Sequence, residues 1–380
     1  MSRPRLAVVV SHPIQYFAPW YRAVARAGVL DQRVFFCCDW GTEGYRDPGF
    51  GIEVKWDIPL TEGYDHEFLP IARRPVRLRF REVDNPAVGE ALDRFRPDVV
   101  LVYGYAHRTQ WRAASWAKRR GVPVLLYSDS HGGVRPGPLK RALKALVVGR
   151  FYSMVSGALS VGENNAVYHL RYGVPRERLF PCVLPVETAR FELGEEERLA
   201  ARAATRARHG IPPEAFVVLF SGKLAEHKRP GDLLDASCLL GPGIVRFLLV
   251  GEGALRPALE ARCREAGIGG VHFTGFVNQA QLPAVYAAGD LLAVPSSMDN
   301  HPLVIPEAGA MGIPVLLSDR VGSIGPTDSA RPGVNALVHP CGDAAAIAAA
   351  VERLAGDRSL LSALSEGARE VVRHQTPERA

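Results

Sequence analysis

Short apolar, β-branched runs recur along the chain with helix-length segments between them, and they do so as two successive sets. In the first half the runs are Leu6–Val10, Val34–Cys38, Val99–Tyr103, Val122–Tyr127 and Leu159–Val161. In the second they are Phe216–Phe220, Arg246–Val250, Val271–Phe273, Leu291–Val294, Val315–Leu317 and Ala336–Val338. Continuous apolar strands separated by helices are the mark of parallel sheets covered on both faces. Between the sets lies a charged helical stretch, Arg190–His209, closed by Gly210-Ile211-Pro212-Pro213. The pattern therefore predicts an α/β chain of two doubly wound, Rossmann-like domains, residues 1–188 and 189–380, with the last helix able to return to the first domain. Two such domains facing each other leave a cleft lined by the carboxyl ends of both sets of strands, where open α/β sheets bind ligands.

Composition narrows the class. With 380 residues, 47% hydrophobic and 23% charged, the chain can bury full cores and is neither disordered nor fibrous. No run approaches the roughly 18 apolar residues of a membrane-spanning helix, and Leu6–Val10 reads as a first strand rather than a signal peptide. Six cysteines without framework or metal-ligand spacing fit a cytoplasmic protein. Charge is unevenly shared: residues 1–185 carry a balance of +10 and the remainder −4. A basic half suits an anionic partner. Nucleic acid is not expected, because the basic residues lack an aromatic stacking pattern or a helix-turn-helix signature, whereas an anionic membrane surface on the inner face fits.

The first strand runs into Ser11-His12-Pro13-Ile14-Gln15 without a glycine, which argues against a dinucleotide cofactor there, since a pyrophosphate needs a Gly-rich turn to approach the backbone. His12 and Gln15 are acceptor-side candidates at the cleft mouth, or else caps of the following helix. In the second half, Phe216–Phe220 ends in Ser221-Gly222-Lys223, with Lys228 five residues on. Gly222 allows a tight turn, and two lysines near a helix start can neutralise a diphosphate, or simply form a solvated surface. A stronger segment runs from Val294 to Val315. Asp299 follows a strand, a helix beginning near Pro302 turns the N–H groups of Leu303 and Val304 toward the ligand, and Glu307 lies where a carboxylate can hold the hydroxyls of a ribose. The bland reading is a helix with an N-terminal acid and a tight packing face.

Together these blocks resemble the donor domain of GT-B glycosyltransferases, the large retaining family usually numbered 4. Ser221-Gly222-Lys223 with Lys228 is similar to the family's diphosphate loop, and Leu248–Gly253 to its next strand and Gly-rich turn. Phe273-Thr274-Gly275-Phe276 with Leu282, Tyr286 and Asp290 matches the base-contacting strand and the aspartate before the following strand. Asp299 and Glu307 fall on the two acids of its Glu-x7-Glu motif, the first shortened by a methylene. Tyr127-Ser128-Asp129-Ser130-His131-Gly132-Gly133 resembles the strand-end loop whose His reaches the transferred sugar.

The resemblance implies a transferase that moves a sugar from a nucleotide-diphospho-sugar to an acceptor hydroxyl with retention. His131, Lys223 and Lys228 would be catalytic, and Gly222, Phe276, Asp299, Leu303, Val304 and Glu307 would bind the donor. No cofactor is implied. No Asp-x-Asp occurs, so the leaving-group charge falls to the lysines and amides without a metal. The expected acceptor is a glycan, a lipid-linked sugar or a small aglycone of a bacterial glycan pathway. Other readings on the same fold are a non-hydrolysing nucleotide-sugar epimerase and a degenerate transferase serving as a partner subunit.

Two stretches favour peripheral membrane contact. Ala72–Arg81 alternates cations with apolar residues from Val76 onward. Pro138–Val148 reads as an amphipathic helix, with Leu139, Leu143, Leu146 and Val147 on one face and Lys140, Arg141 and Lys144 off it. Packing of that face onto the chain's own sheet is the ordinary alternative.

Overall fold

A computed structural model describes residues 3–132 and 137–380. The strands are β1 Arg5–Val10, β2 Asp31–Phe36, β3 Tyr45–Arg46, β4 Glu53–Val54, β5 His66–Phe68, β6 Val99–Tyr103, β7 Val124–Ser128, β8 Gly157–Ser160, β9 Leu179–Pro181, β10 Phe216–Ser221, β11 Val245–Val250, β12 Val271–Gly275, β13 Leu291–Val294, β14 Val315–Ser318 and β15 Ala336–His339. The helices are α1 Ala18–Ala27, α2 Val88–Phe95, α3 Arg108–Arg120, α4 Pro138–Tyr152, α5 Glu163–Arg171, α6 Glu195–Arg208, α7 Gly231–Leu240, α8 Arg256–Glu265, α9 Leu282–Tyr286, α10 Val304–Ala310, α11 Ala344–Gly356 and α12 Arg358–Val372.

Two compact units result. The first comprises residues 1–45, 54–185 and 377–380, the second residues 46–53 and 186–376. The last helix, α12, does not cross back: it packs within the second unit against α10 and α11, and only the final four residues group with the first unit. Gly309 explains the hold on α12, since a Cβ there would come within 3.2 Å of the Ala368 carbonyl oxygen.

The first unit is a seven-stranded sheet in the order β5-β2-β1-β6-β7-β8-β9, parallel throughout its register. The second is a six-stranded parallel sheet ordered β12-β11-β10-β13-β14-β15. In both, strand order reverses beside the first strand, between β1 and β6 and between β10 and β13. Such a reversal opens a crevice at the carboxyl ends of the strands, because the crossovers on its two sides leave in opposite directions. Period-2 alternation fills both faces of the second sheet. Val217 and Leu219 join one core, with Tyr286, Leu292 and Leu317; Phe216, Val218 and Phe220 join the other, with Leu233, Phe247 and Val351.

The charged helix between the strand sets is a packed element. Arg206 is fully buried, and its guanidinium donates to the carbonyls of Pro213, Ala215 and Ala288 and to Asp290 Oδ2. Asp290 also accepts from Arg202 and from the Val217 amide, so one carboxylate ties α6 to β10 and to the turn before β13.

Candidate active site

In the second unit the crevice between β10 and β13 gathers the sequence-singled residues. β10 ends at Ser221, and Gly222, with φ 151°, turns the chain into Lys223. This loop is laced to the turn after β11: Gly222 N–H donates to the Val250 carbonyl and Leu224 N–H to that of Glu252. Gly251, at φ 138°, has to be glycine, because a Cβ there would land on the Gly222 carbonyl oxygen. The β12 end that carries Phe276 closes against the same turn through Gly251 N–H to the Gly275 carbonyl.

Lys228 and Asp299 meet directly, Nζ to Oδ2 at 2.5 Å, both mostly buried. The Asp299 loop is fixed from two sides: Ser297 N–H donates to the His227 carbonyl, and Gly322 N–H donates to that of Asp299. His301, in the segment preceding α10, is buried and bonds Ser329 Oγ through Nε2 at 3.2 Å. α10 starts at Val304, with Leu303 at its N-cap, two residues later than Pro302 suggested. Glu307 follows in the first turn, 1% exposed, with its Oε2 accepting from the equally buried Tyr286 hydroxyl at 2.9 Å. A carboxylate that deep is held for use or for structure by specific donors, since burial without them is costly.

Lys223 has a partner that sequence reasoning missed. Residues 46–53 group with the second unit although the first unit flanks them in the chain. Asp47 Oδ1 lies 2.8 Å from Lys223 Nζ and accepts the Gly49 and Phe50 amides at 2.7 and 2.9 Å. Burial works to raise the Asp47 carboxyl, but the Lys223 ammonium and these amides outweigh it and hold it below its ordinary value. The Phe50 ring sits 4.8 Å under the same ammonium and edge-on to Phe276 at 5.2 Å. The Asp47-Pro48-Gly49 turn chemistry was visible in the sequence; its destination, 176 residues away, was not.

In the first unit the loops after β1, β6 and β7 share the other crevice. α1 starts at Ala18 with Phe17 at its N-cap, so His12 and Gln15 lie before the helix rather than capping it. His12 Nδ1 is 2.9 Å from Ser11 Oγ and its ring meets Trp40 edge-on at 6.2 Å. Beneath these loops buried Phe17, Trp20 and Tyr127 and half-buried Tyr103 form an aromatic layer, with Phe17 and Tyr103 centroids 4.7 Å apart. Burial drives both tyrosine hydroxyls well above their ordinary pKa. The Asp129–His131 loop is pinned through Ser130: Asn165 Nδ2 donates to its carbonyl at 2.7 Å, and its hydroxyl lies 3.2 Å from the Tyr105 hydroxyl. His131 is half-buried. Gly133, which closes that loop in the sequence motif, lies outside the described residues.

Two family models match. Residues 13–183 fit the glycosyl transferase 4-like domain and residues 201–371 the glycosyl transferases group 1 domain. The chain belongs to the group 1 glycosyltransferases. Among curated members of this family, it is 33% identical to a D-inositol 3-phosphate glycosyltransferase of Salinispora arenicola over 52% of this chain and 46% of that protein. It is 34% identical to the lipopolysaccharide core biosynthesis glycosyltransferase LpsE of Rhizobium meliloti over 45% of this chain and 48% of that one. A second D-inositol 3-phosphate glycosyltransferase, from Catenulispora acidiphila, is 29% identical over 76% of this chain and 73% of its own length. The chain thus spans about half the length of several of the curated glycosyltransferases it matches. Among solved structures, HepE of Anabaena in complex with UDP superposes with a TM-score of 0.74 at 16% identity, over 98% of this chain and 95% of that one. Sucrose-phosphate synthase of Thermosynechococcus elongatus gives 0.71 at 22% identity, over 98% and 95%. The fold is that of the GT-B glycosyltransferases.

Proposed function

We propose that this group 1 glycosyltransferase moves a sugar from a nucleotide-diphospho-sugar to an acceptor hydroxyl with retention, using its own cations rather than a metal at the leaving group. The observation that carries the reading is the cluster at the β10–β13 crevice: buried Glu307 braced by Tyr286, and Lys223 and Lys228 on loops held rigid by Gly222, Gly251 and the Asp299 turn. In this reading Glu307 holds the donor ribose, Leu303 and Val304 offer amides to the diphosphate, and Phe276 lies against the base. Asp299 orients Lys228. When the bond from the anomeric carbon to the diphosphate oxygen breaks, its electron pair stays on the departing diphosphate. The two ammonium groups stabilise that charge more strongly than the ground state, which is what accelerates the step. His131 orients the transferred sugar, and His12 and Gln15 face the acceptor.

HepE is described in complex with UDP, and with UDP and glucose, which makes UDP-sugars the first donors to try. The acceptor we favour is a lipid-linked sugar or glycan hydroxyl presented at an anionic membrane surface. The decisive experiment is calorimetry with UDP, GDP and ADP, alongside nucleotide-diphosphate release from the corresponding sugar donors. One nucleotide should bind, and Glu307→Ala should weaken it by about 1–3 kcal/mol, the cost of leaving buried groups unpaired. Unchanged affinity would remove Glu307 from the site. Transfer should survive a chelator; abolition by EDTA overturns the metal-free reading.

A further inference from the structure

The strap formed by residues 46–53 sits on groups that the proposed donor needs. It is a compact loop. β3 and β4 pair at its base, Asp47 N–H donates to the Ile52 carbonyl, and Gly51 N–H donates to that of Asp47. From this frame Asp47 takes the Lys223 ammonium and Phe50 takes the edge of Phe276. The approach is close: a Cβ on Gly49 would stand 2.6 Å from Lys223 Cδ and 2.7 Å from its Nζ. The strap side chains and the Lys223 end therefore fill the space above the β10 loop. A carboxylate and a diphosphate cannot both sit against one ammonium without repelling each other, and the carboxylate here is mostly buried, where that repulsion is least screened.

We propose that residues 46–53 are a donor-displaced strap: Asp47 is the resident counter-ion of Lys223, and an incoming nucleoside diphosphate takes the ammonium from it and lifts Phe50 from Phe276. The inference rests on the donor-site reading above. It gives the site a charge-matched resting state, in which Lys223 is neutralised until a stronger anion arrives. Only a ligand carrying a diphosphate can complete the exchange; a nucleoside or a monophosphate leaves more of the Asp47 pairing intact.

The test is UDP, GDP and ADP binding to wild type and Asp47→Asn by calorimetry, with amide hydrogen exchange across residues 47–53 of the wild type. Asparagine keeps an oxygen for the Gly49 and Phe50 amides and removes only the charge. The variant should bind the nucleotide at least 5-fold more tightly, and this gain should vanish when Lys223→Ala is added, because the two effects share one partner. Saturating nucleotide should speed exchange at Gly49, Phe50 and Gly51, the reverse of ordinary ligand protection. Wild-type binding that Asp47→Asn fails to improve, or slower exchange in the strap on binding, overturns the strap and leaves the donor site standing. No binding of any of the three nucleotides by either protein removes the donor site and the strap together.

Discussion

At the scale of single residues, the polar groups of the second crevice are held in pairs: Lys228 with Asp299, Lys223 with Asp47 and Glu307 with Tyr286. Tyr286 is the clearest case. In the sequence it is one residue of the block that resembles the family; in the structure its hydroxyl donates to Glu307 Oε2 inside an apolar core. Tyr286→Phe should lower stability by about 1–3 kcal/mol, the cost of leaving a buried polar group without its partner, and should weaken nucleotide binding while leaving Phe276 in place. Denaturant unfolding and calorimetry read the two effects separately; full affinity in the variant would show that Glu307 is positioned by its helix alone. In the first unit, His131→Ala should keep nucleotide binding and lose transfer by about 100-fold or more, as expected for one positioned catalytic group. Near-normal transfer would return His131 to a structural role. Glycine and lysine spacing made the turn after β10 legible, with Gly222 at its bend and Lys223 next to it. Asp47 and Phe50 were illegible because a pairing across 176 residues leaves no local period to read.

Elements were legible where the physics is local. Val99–Tyr103 and Leu291–Val294 stand where the apolar runs put them, since a strand buried on both faces has to be continuously apolar. β5 and β9 escaped notice because three residues such as His66-Glu67-Phe68 are an edge pairing imposed by neighbours, not a pattern. α6 was seen as a helix, but its buried Arg206 could be found only from the carbonyls that surround it. The α4–α5 pair carries a testable consequence. His169 is fully buried, its Nδ1 2.9 Å from the Tyr152 hydroxyl and its Nε2 3.1 Å from Asn165 Oδ1, so the ring is held neutral between an acceptor and a donor. Burial pushes its pKa down to about 4. The unfolded chain takes up a proton near pH 6.5 that the folded one refuses until about pH 4. Stability is therefore full above pH 6.5 and falls by about 3 kcal/mol as the pH drops through that window. Denaturation across this range should show the slope in wild type and a shallower one in His169→Gln. Since Asn165 also anchors the Ser130 carbonyl, the same acid range should loosen the His131 loop.

Across the whole molecule, the uneven charge acquires a structural counterpart in α4. Its apolar residues do not turn onto the first unit's sheet: Leu139 is 83% exposed and Leu146 72%, with Leu143 and Val147 also in solvent, while Val148, Phe151 and Tyr152 make the buried contacts. The packing alternative thus fails for the N-terminal turns of the helix, which carry exposed Lys140, Arg141 and Lys144 among those leucines. Among the described residues no helix is long and apolar enough to cross a membrane, so contact with a bilayer would be interfacial. Three cations near an anionic surface contribute about 1 kcal/mol each, and burying the leucines adds to this, which suits reversible association. On that reading the basic excess of the first half would supply the long-range attraction, and α4 would be the part that enters the headgroup layer. Co-sedimentation with vesicles tests it: the protein should pellet with phosphatidylglycerol-containing vesicles at low salt, stay soluble with neutral ones, and dissociate at high salt as the charges are screened. Leu143→Asp with Leu146→Asp should abolish binding to anionic vesicles while leaving nucleotide affinity intact, because these side chains contribute little to the core. Retention of the double variant on vesicles would place the attraction in the Ala72–Arg81 stretch instead, and a wild type that stays in the supernatant at low salt would end the membrane reading.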